Sequence, residues 1–321
     1  MTEEPRYLAV DVGGTNLKYA LINRSGQLIQ KSRIETPHDC LQHFLNTIEE
    51  ISQNLKGQLN GVAFSTPGRV DTATDMIYCR NSTLPYLDKV CLPRKLQKLG
   101  IPVAVENDGK AAVLAESWLG NLHDVKNGMA LVLGTCVGGG IMLDGHLWAG
   151  GRRLAGEVSL MPANQTDLTD NGLFGRTGSA VRMITAINTA ISEPDLTDGH
   201  RAFEAINAGD HRTTEIFQQY AREVASLILN VQTVLDLDRY VIGGGISFQP
   251  VLIEAINQQY DWILSQRPWV QSTIARPEIM SSRFHNDANL YGALYRLFNK
   301  LDAKHDAPID LDSVLINVGG K

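Results

Sequence analysis

Two short stretches hold the residue types that handle phosphate. Residues 11–18, DVGGTNLK, place an acid, two glycines and a hydroxyl at a bend between apolar runs, and residues 105–112, VENDGKAA, place Glu106, Asn107 and Asp108 at a strand-to-helix junction. Glycine lets a backbone approach a ligand closely and adopt positive φ, so that successive N–H groups converge on phosphate oxygens. Three glycine turns follow apolar strands: Gly13 and Gly14, Gly138 to Gly140, and Gly243 to Gly245, the first two accompanied by Thr15 and Thr135. Together they point to a nucleotide. There is no GxxxxGK[ST] and no GxGxxG after a strand, so neither the P-loop nor the dinucleotide fingerprint accounts for them.

The charged residues nearby each admit two roles. Asp11 can hold Mg²⁺ beside nucleotide phosphates, often through water, or cap the turn through its backbone, and by itself the cap is the more common role. Lys18 can steady phosphate charge or simply be solvated. Asp108 can cap a helix starting at 109, or accept a proton from a hydroxyl attacking phosphorus, with Glu106 and Asn107 bonding to neighbouring hydroxyls. Glu157, in AGEVSLMP, adds another acid. Several Asp, Asn and Glu side chains suit a polyhydroxylated substrate, because each hydroxyl can donate to a carboxylate.

Alternating strand and helix patterns must position these residues. Runs at 18–22, 26–34, 60–66 and 101–106 read as strands, while Leu41, Phe44, Leu45, Ile48, Ile51 and Leu55 share one helical face. That mixture argues an α/β class. Residues 109–119 read as a helix that can bridge two lobes. Residues 128–151 repeat the plan of 7–22, apolar strand, Gly/Thr turn, apolar strand, which suggests a duplicated architecture; two unrelated glycine hairpins are the alternative. A long helix follows at 214–235, a strand at 238–247 and a final helix from about 287. The last twenty residues are polar, with weak periodicity, and are expected to be irregular or docked.

Composition sets the bounds. A chain of 321 residues suits two lobes, and 43% hydrophobic with 20% charged residues is ordinary for a globular protein. A net charge of −6 with scattered Lys and Arg gives no footprint for nucleic acid. Cys40, Cys79, Cys91 and Cys136 form no CxxC pair, and MTEEPRYLAV has no apolar stretch after a basic start, which favours a reducing, cytoplasmic setting. No run approaches the about 20 apolar residues that cross a bilayer.

Taken together the motifs resemble the ROK family of bacterial sugar kinases, repressors and open reading frames, within the actin-like, hexokinase-type ATPase superfamily, over nearly the whole chain. DVGGTNLK looks like its first phosphate motif, STPGRVD (65–71) its sugar-side loop, ENDGKAA its catalytic segment, LGTCVGGGI its second phosphate motif, AGE a sugar-contact motif and VIGGGIS its adenosine motif. The resemblance implies a two-lobed actin-like (ribonuclease H-like) ATPase fold with an inter-lobe cleft. One lobe would span 1–118, completed by the helix at about 287–303 and the tail, and the other 119–286. It implies Asp108 as general base, with Gly68, Arg69, Asn81, Asn107 and Glu157 on the sugar. Asp11, Gly13, Gly14, Thr15, Lys18, Thr135, Gly138, Gly139 and Gly140 would surround Mg²⁺-ATP, Asp11 meeting the metal through water, and Gly243, Gly244 and Gly245 would lie near the adenosine. A homodimer is also implied.

Departures from the pattern shape the substrate expectation. The family's GEIGH reads GEVSL, putting Leu160 where a histidine would meet sugar and zinc, and the cysteine-rich zinc loop is replaced by residues 161–180, which contain no Cys or His. A structural zinc needs about four such ligands, so none is expected. Cys136 stands where glycine is usual, and a second sugar-binding Glu is missing near Leu173 and Phe174. The resulting wider, less polar pocket, together with the ending NDANLYGAL, resembles β-glucoside kinases. The expected reaction is transfer from ATP to the 6-hydroxyl of glucose or of a β-glucoside such as cellobiose. Fructose, mannose or N-acetylmannosamine as acceptor, and a non-catalytic sugar sensor, are the alternatives. A DNA-binding repressor is disfavoured because only ten residues precede Asp11.

Overall fold

A computed structural model describes residues 4–55, 59–80 and 83–305. The chain opens with the hairpin of β1 (Arg6–Val12) and β2 (Asn16–Asn23), then β3 (Leu28–Glu35), α1 (Leu41–Asn54), β4 (Leu59–Thr66), the small hairpin of β5 (Arg69–Asp71) and β6 (Met76–Tyr78), α2 (Leu92–Lys95), β7 (Val103–Asn107) and α3 (Asp108–Leu119). A second series follows: β8 (Gly128–Leu133), β9 (Val137–Leu143), β10 (His146–Trp148), α4 (Phe174–Thr177), α5 (Ala180–Ile191), α6 (Gly199–Asn207), α7 (His211–Leu235), β11 (Arg239–Gly243), α8 (Pro250–Ser265), α9 (Pro268–Thr273), β12 (Glu278–Ser281) and α10 (Ala288–His305). The expected tail falls on residues 306–321, outside the described residues.

The two series build two five-stranded sheets with matching plans. Their orders are β3-β2-β1-β4-β7 and β10-β9-β8-β11-β12. In each, the opening hairpin is antiparallel and the later strands join in parallel. Strand alternation explains the layering. Leu8 and Val10 of β1, with Phe64 and Val105, face Phe44 and Ile48 of α1. Tyr7 and Ala9, with Ala20, Ala63 and Ala104, face Leu290, Ala293, Leu294 and Leu297 of α10. Alanines on that face let α10 lie close to the sheet. β3 is mostly exposed at the sheet edge and carries Lys31 and Arg33, charges that discourage pairing with another chain. On the far side of the second sheet, α5, α7 and α8 bury the largest apolar cluster.

Between the sheets lie α3 and α10. Ala112, Val113 and Ala115 of α3 pack on Ala130, Met142 and Val241 of the second sheet and on Ala288 of α10. Trp118 of α3 stacks on Tyr295 of α10, ring centroids 5.4 Å apart and nearly parallel. The helices touch backbone to backbone: a β-carbon on Gly292 would overlap the Ala111 carbonyl. Gly292→Ala is therefore expected to destabilise the fold by about 3 kcal/mol or more, whereas Gly151→Ala, with open space around the position, should stay within about 0.5 kcal/mol of wild type. Urea unfolding midpoints of the two variants check this; equal midpoints would refute the helix contact.

Candidate active site

Asp108 is the first residue of α3, and its position follows from how β7 ends. β7 runs through Asn107, whose side-chain oxygen accepts from Lys110 N at 3.1 Å and so caps the helix. The cap is therefore Asn107 rather than Asp108, which corrects the sequence expectation. Asn107 also donates from Nδ2 to the Gly68 carbonyl and to Asp108 Oδ1, both at 2.8 Å. Gly68 has φ of 85°, and a β-carbon there would meet Tyr78 O at 2.6 Å, so this loop position requires glycine.

Asp108 Oδ1 further accepts from Gly109 N at 2.8 Å. Burial pushes the Asp108 carboxyl up to about 6, against the lowering effect of the Gly109 N–H; the negative charges of Asp11 and Glu157 add to the rise, and Lys110 opposes it. A carboxyl at that level changes charge near neutral pH, as a base at the surface would not. Lys110 is almost wholly buried and reaches Glu157, Nζ to Oε1 3.3 Å, across the junction between the two sheets.

Asp108, Asn107, Gly68, Glu157, Thr135 and Gly138 line a single cavity of about 390 Å³. The structure thus brings these six predicted residues together from the β4–β5 loop, β7, α3, the β8–β9 turn, the start of β9 and the loop after β10. Cys136 is exposed on the same wall. Ser159 holds that wall in place: its hydroxyl accepts from Val137 N at 3.0 Å and donates to Val137 O at 2.7 Å. Leu160 is 66% exposed, and Phe174 is buried in the second core.

Asn289 was not foreseen, and it connects the other acid to this cavity. It lines the cavity from the first turn of α10 and donates to Asp11 Oδ1 at 3.0 Å. Its signal was NDANLYGAL, where a polar residue precedes an apolar helix. Asp11 lies within β1, directly across from Lys18 on β2, whose Nζ is 3.7 Å from Asp11 Oδ2. Burial raises the Asp11 carboxyl, and Lys18 and Asn289 pull it back.

The three glycine turns are physically linked. Gly13 and Gly14 form the β1–β2 turn, with Gly13 N donating to Asn16 O at 3.1 Å and Thr36 N donating to Thr15 O at 3.0 Å. Lys18 Nζ donates to Asn286 O at 3.3 Å, and Asn286 adjoins Gly245. Gly244, at φ of 95°, backs onto Leu133 at the end of β8, next to the Gly134–Thr135 turn; Gly243 ends β11. Gly139 and Gly140 are buried and have packing partners of their own. A β-carbon on Gly109 would lie 2.7 Å from Gly139 O, and one on Gly156 would lie 2.7 Å from the same oxygen, while Gly140 abuts Gly109.

Two predicted residues, Arg69 and Glu106, are not among those lining this cavity. Arg69 stacks its guanidinium over the Tyr78 ring at 3.9 Å and is not among the residues lining the cavity. Asn81 falls outside the described residues. Glu106, expected beside Asp108, faces away: neighbouring strand residues point to opposite faces, so Asn107 turns to the cavity and Glu106 does not. Among the described residues, no group of three or more His, Cys, Asp or Glu side chains is placed to hold a metal ion, and no helix is long and apolar enough to cross a membrane.

Known proteins are similar to this chain in sequence and fold. A β-glucoside kinase of Listeria monocytogenes is 27% identical over 299 residues, covering 91% of this chain and 97% of that protein. An N-acetylmannosamine kinase of Haemophilus influenzae is 28% identical over 300 residues, covering 90% and 94%. The crystal structure of a ROK family protein from Streptococcus pneumoniae in complex with sucrose superposes with a TM-score of 0.82 at 26% identity, covering 93% of this chain and 99% of that one. The ROK family profile matches residues 7–300, and with the paired sheets, the two central helices and the fold-level agreement, the chain belongs to the ROK family and has its actin-like ATPase fold.

Proposed function

We propose that this protein is a sugar kinase that transfers the γ-phosphoryl group of ATP to a sugar hydroxyl, with Asp108 as general base. The observation that carries the reading is the single cavity shared by Asp108, Asn107, Glu157 and the Thr135–Gly138 turn: a base, hydroxyl-binding groups and a glycine turn within one substrate's reach. The sugar O–H passes its proton to the Asp108 carboxylate as its oxygen bonds to the γ-phosphorus, and the bond to the β-phosphate oxygen breaks to release ADP. Asn107 and Glu157 hold neighbouring hydroxyls, and Lys110 fixes Glu157 from the buried side. Gly68 and Asn81 complete the sugar side, and Arg69 supports it from behind. Backbone N–H groups of Gly14, Thr15, Thr135 and Gly138 receive the phosphates, with Lys18 nearby, Gly13, whose own N–H closes the turn on Asn16 O, and Gly139 shaping the two turns, and Gly243 to Gly245 beside the adenosine.

A divalent cation fits this set of residues. Asp11 is a buried carboxylate whose negative charge raises Asp108, and a cation between such acids and a phosphate chain relieves both. Mg²⁺, held by Asp11 through water, would neutralise charge on the phosphates. Residues 160–180 contain no Cys or His, so the proposal includes no structural zinc. The reading places the reaction in the cytoplasm, on a homodimer.

The acceptor we favour is the 6-hydroxyl of glucose or of a β-glucoside such as cellobiose, because the exposed Leu160, three residues after Glu157, stands where the family pattern has a histidine and a β-glucoside kinase is among the similar proteins. N-acetylmannosamine is the second reading, supported by an equally similar relative; fructose and mannose follow.

A coupled ADP-release assay across cellobiose, glucose, mannose, fructose and N-acetylmannosamine should show turnover, highest with a glucoside. Binding of one of them without turnover would favour a sensor instead. The acid limb of kcat/KM should rise through an apparent pKa near 6, because the free enzyme's base works only when ionised. Asp108→Asn should lower kcat by about 10²–10⁴-fold or more.

The same substitution carries a stability prediction of opposite sign. The native carboxyl titrates above its unfolded value of 3.8, so ionisation opposes folding: the penalty is complete above about pH 6 and disappears as pH falls towards about 4. Asp108→Asn should therefore be more stable than wild type by on the order of 1–3 kcal/mol at pH 7.5, and the gap should close as pH drops through 6. Thermal unfolding at pH 7.5 and pH 5 measures it; a gap that widens on acidification would rule out the assigned ionisation.

A further inference from the structure

Glu106 points into a second cavity, of about 590 Å³, larger than the one at Asp108 and within the about 300–1,000 Å³ typical of small-molecule sites. Its wall comes from both halves of the molecule. Glu106, the β5–β6 turn and the facing sides of α3 and α10 form one side; the β9–β10 turn and Arg153 form the other. The cavity is on the opposite side of β7 from Asp108, as strand alternation dictates.

The groups inside have bonding capacity to spare. Glu106 is 1% exposed; its Oε1 accepts from Asn107 N at 3.0 Å, while Oε2 accepts no hydrogen bond from the described residues. Arg296 Nε, also buried and without a hydrogen-bond partner among them, is 3.8 Å from that oxygen. The two form an ion pair at the cavity floor in which each atom keeps capacity for a further hydrogen bond. Arg296 is fixed by donating from Nη2 to Thr72 O at 2.9 Å. Asn299 is exposed at the mouth.

A guanidinium and an imidazole meet at the same mouth. His146 is exposed there, and Arg153 is partly exposed, with φ of 61° in the left-handed region, where a non-glycine residue costs energy and such strain gathers at ligand clamps and switches. The loop is closed by Arg153 N donating to Gly150 O at 3.2 Å and Ala155 N donating to Ala149 O at 3.1 Å. A deep hydroxyl-binding pair beneath a cationic mouth matches a ligand with hydroxyls at one end and an anion at the other.

We propose that this cavity is a second ligand site, separate from the one at Asp108, that binds a phosphorylated sugar: Arg153 and His146 receive the phosphate, and Glu106, Arg296 and Asn299 bind the hydroxyls. The site goes beyond the kinase reading and does not depend on it, because its test measures binding without turnover.

Isothermal titration of glucose 6-phosphate into the full-length protein should show binding that Arg153→Asn weakens by about tenfold or more, the loss of a charge-assisted contact to phosphate. Asparagine tolerates the left-handed backbone at that position. Asn299→Ala should weaken binding severalfold, and it decides the matter if Arg153→Asn fails to fold. Asp108→Asn should leave this binding unchanged. The site is refuted if glucose 6-phosphate does not bind at millimolar concentration, if glucose or inorganic phosphate alone binds as tightly, or if Asp108→Asn abolishes binding that Arg153→Asn leaves intact, which would place the ligand at Asp108.

Discussion

The close approach of α3 to its neighbours determines where everything else can sit. At one end Gly109 meets the backbone of Gly139 and Gly140, and at the middle Ala111 meets Gly292 of α10. No side chain fits at these contacts, so the helix is held by backbone on two sides and its first residue, Asp108, has a fixed position relative to both sheets. The C-terminal end is tied as well: buried Glu116 accepts from Ser282 Oγ at 2.5 Å and from Asn121 N at 2.7 Å. A base aimed at one atom of a substrate needs this kind of support, because small displacements cost large factors in rate.

Strand alternation then divides the residues at the end of β7 between two faces. Asn107 and Asp108 look into one cavity, Glu106 into the other, and the alternation of a strand separates them with no further device. Lys110, one turn along α3, offsets the crowd of acids by reaching Glu157. Burial is the main cause of the raised Asp108 and Asp11 carboxyls, and at Asp108 the charges of Asp11 and Glu157 add to it. Such strain is tolerable in a site meant to receive cationic or hydroxyl partners.

What could be read from the sequence was whatever local spacing controls. The apolar alternation of β1, the helical stripe at Leu41 to Leu55 and the strand–glycine–strand plan of both hairpins are short-range patterns, and they correspond to β1, α1 and the β1–β2 and β8–β9 hairpins. Asp108, Glu157 and Thr135 share a cavity although they are distant in sequence, and only the family resemblance had grouped them. The failures are of one kind. Asn107 rather than Asp108 caps α3 because β7 continues one residue further than 101–106 suggests, and the same one-residue count turns Glu106 away. Asn289, Gly292 and Gly156 gained meaning only from partners more than a hundred residues away or across a sheet junction, which no window of sequence contains.

Each half closes the outer face of its sheet with its own helices, but the inner faces are covered by α3 and α10, which the two sheets share. The apolar face formed by Ala9, Ala63 and Ala104 stays open until residues beyond 288 arrive. The face of the first sheet that α10 covers therefore stays open long after β7 has been made, while the opposite face can already pack on α1.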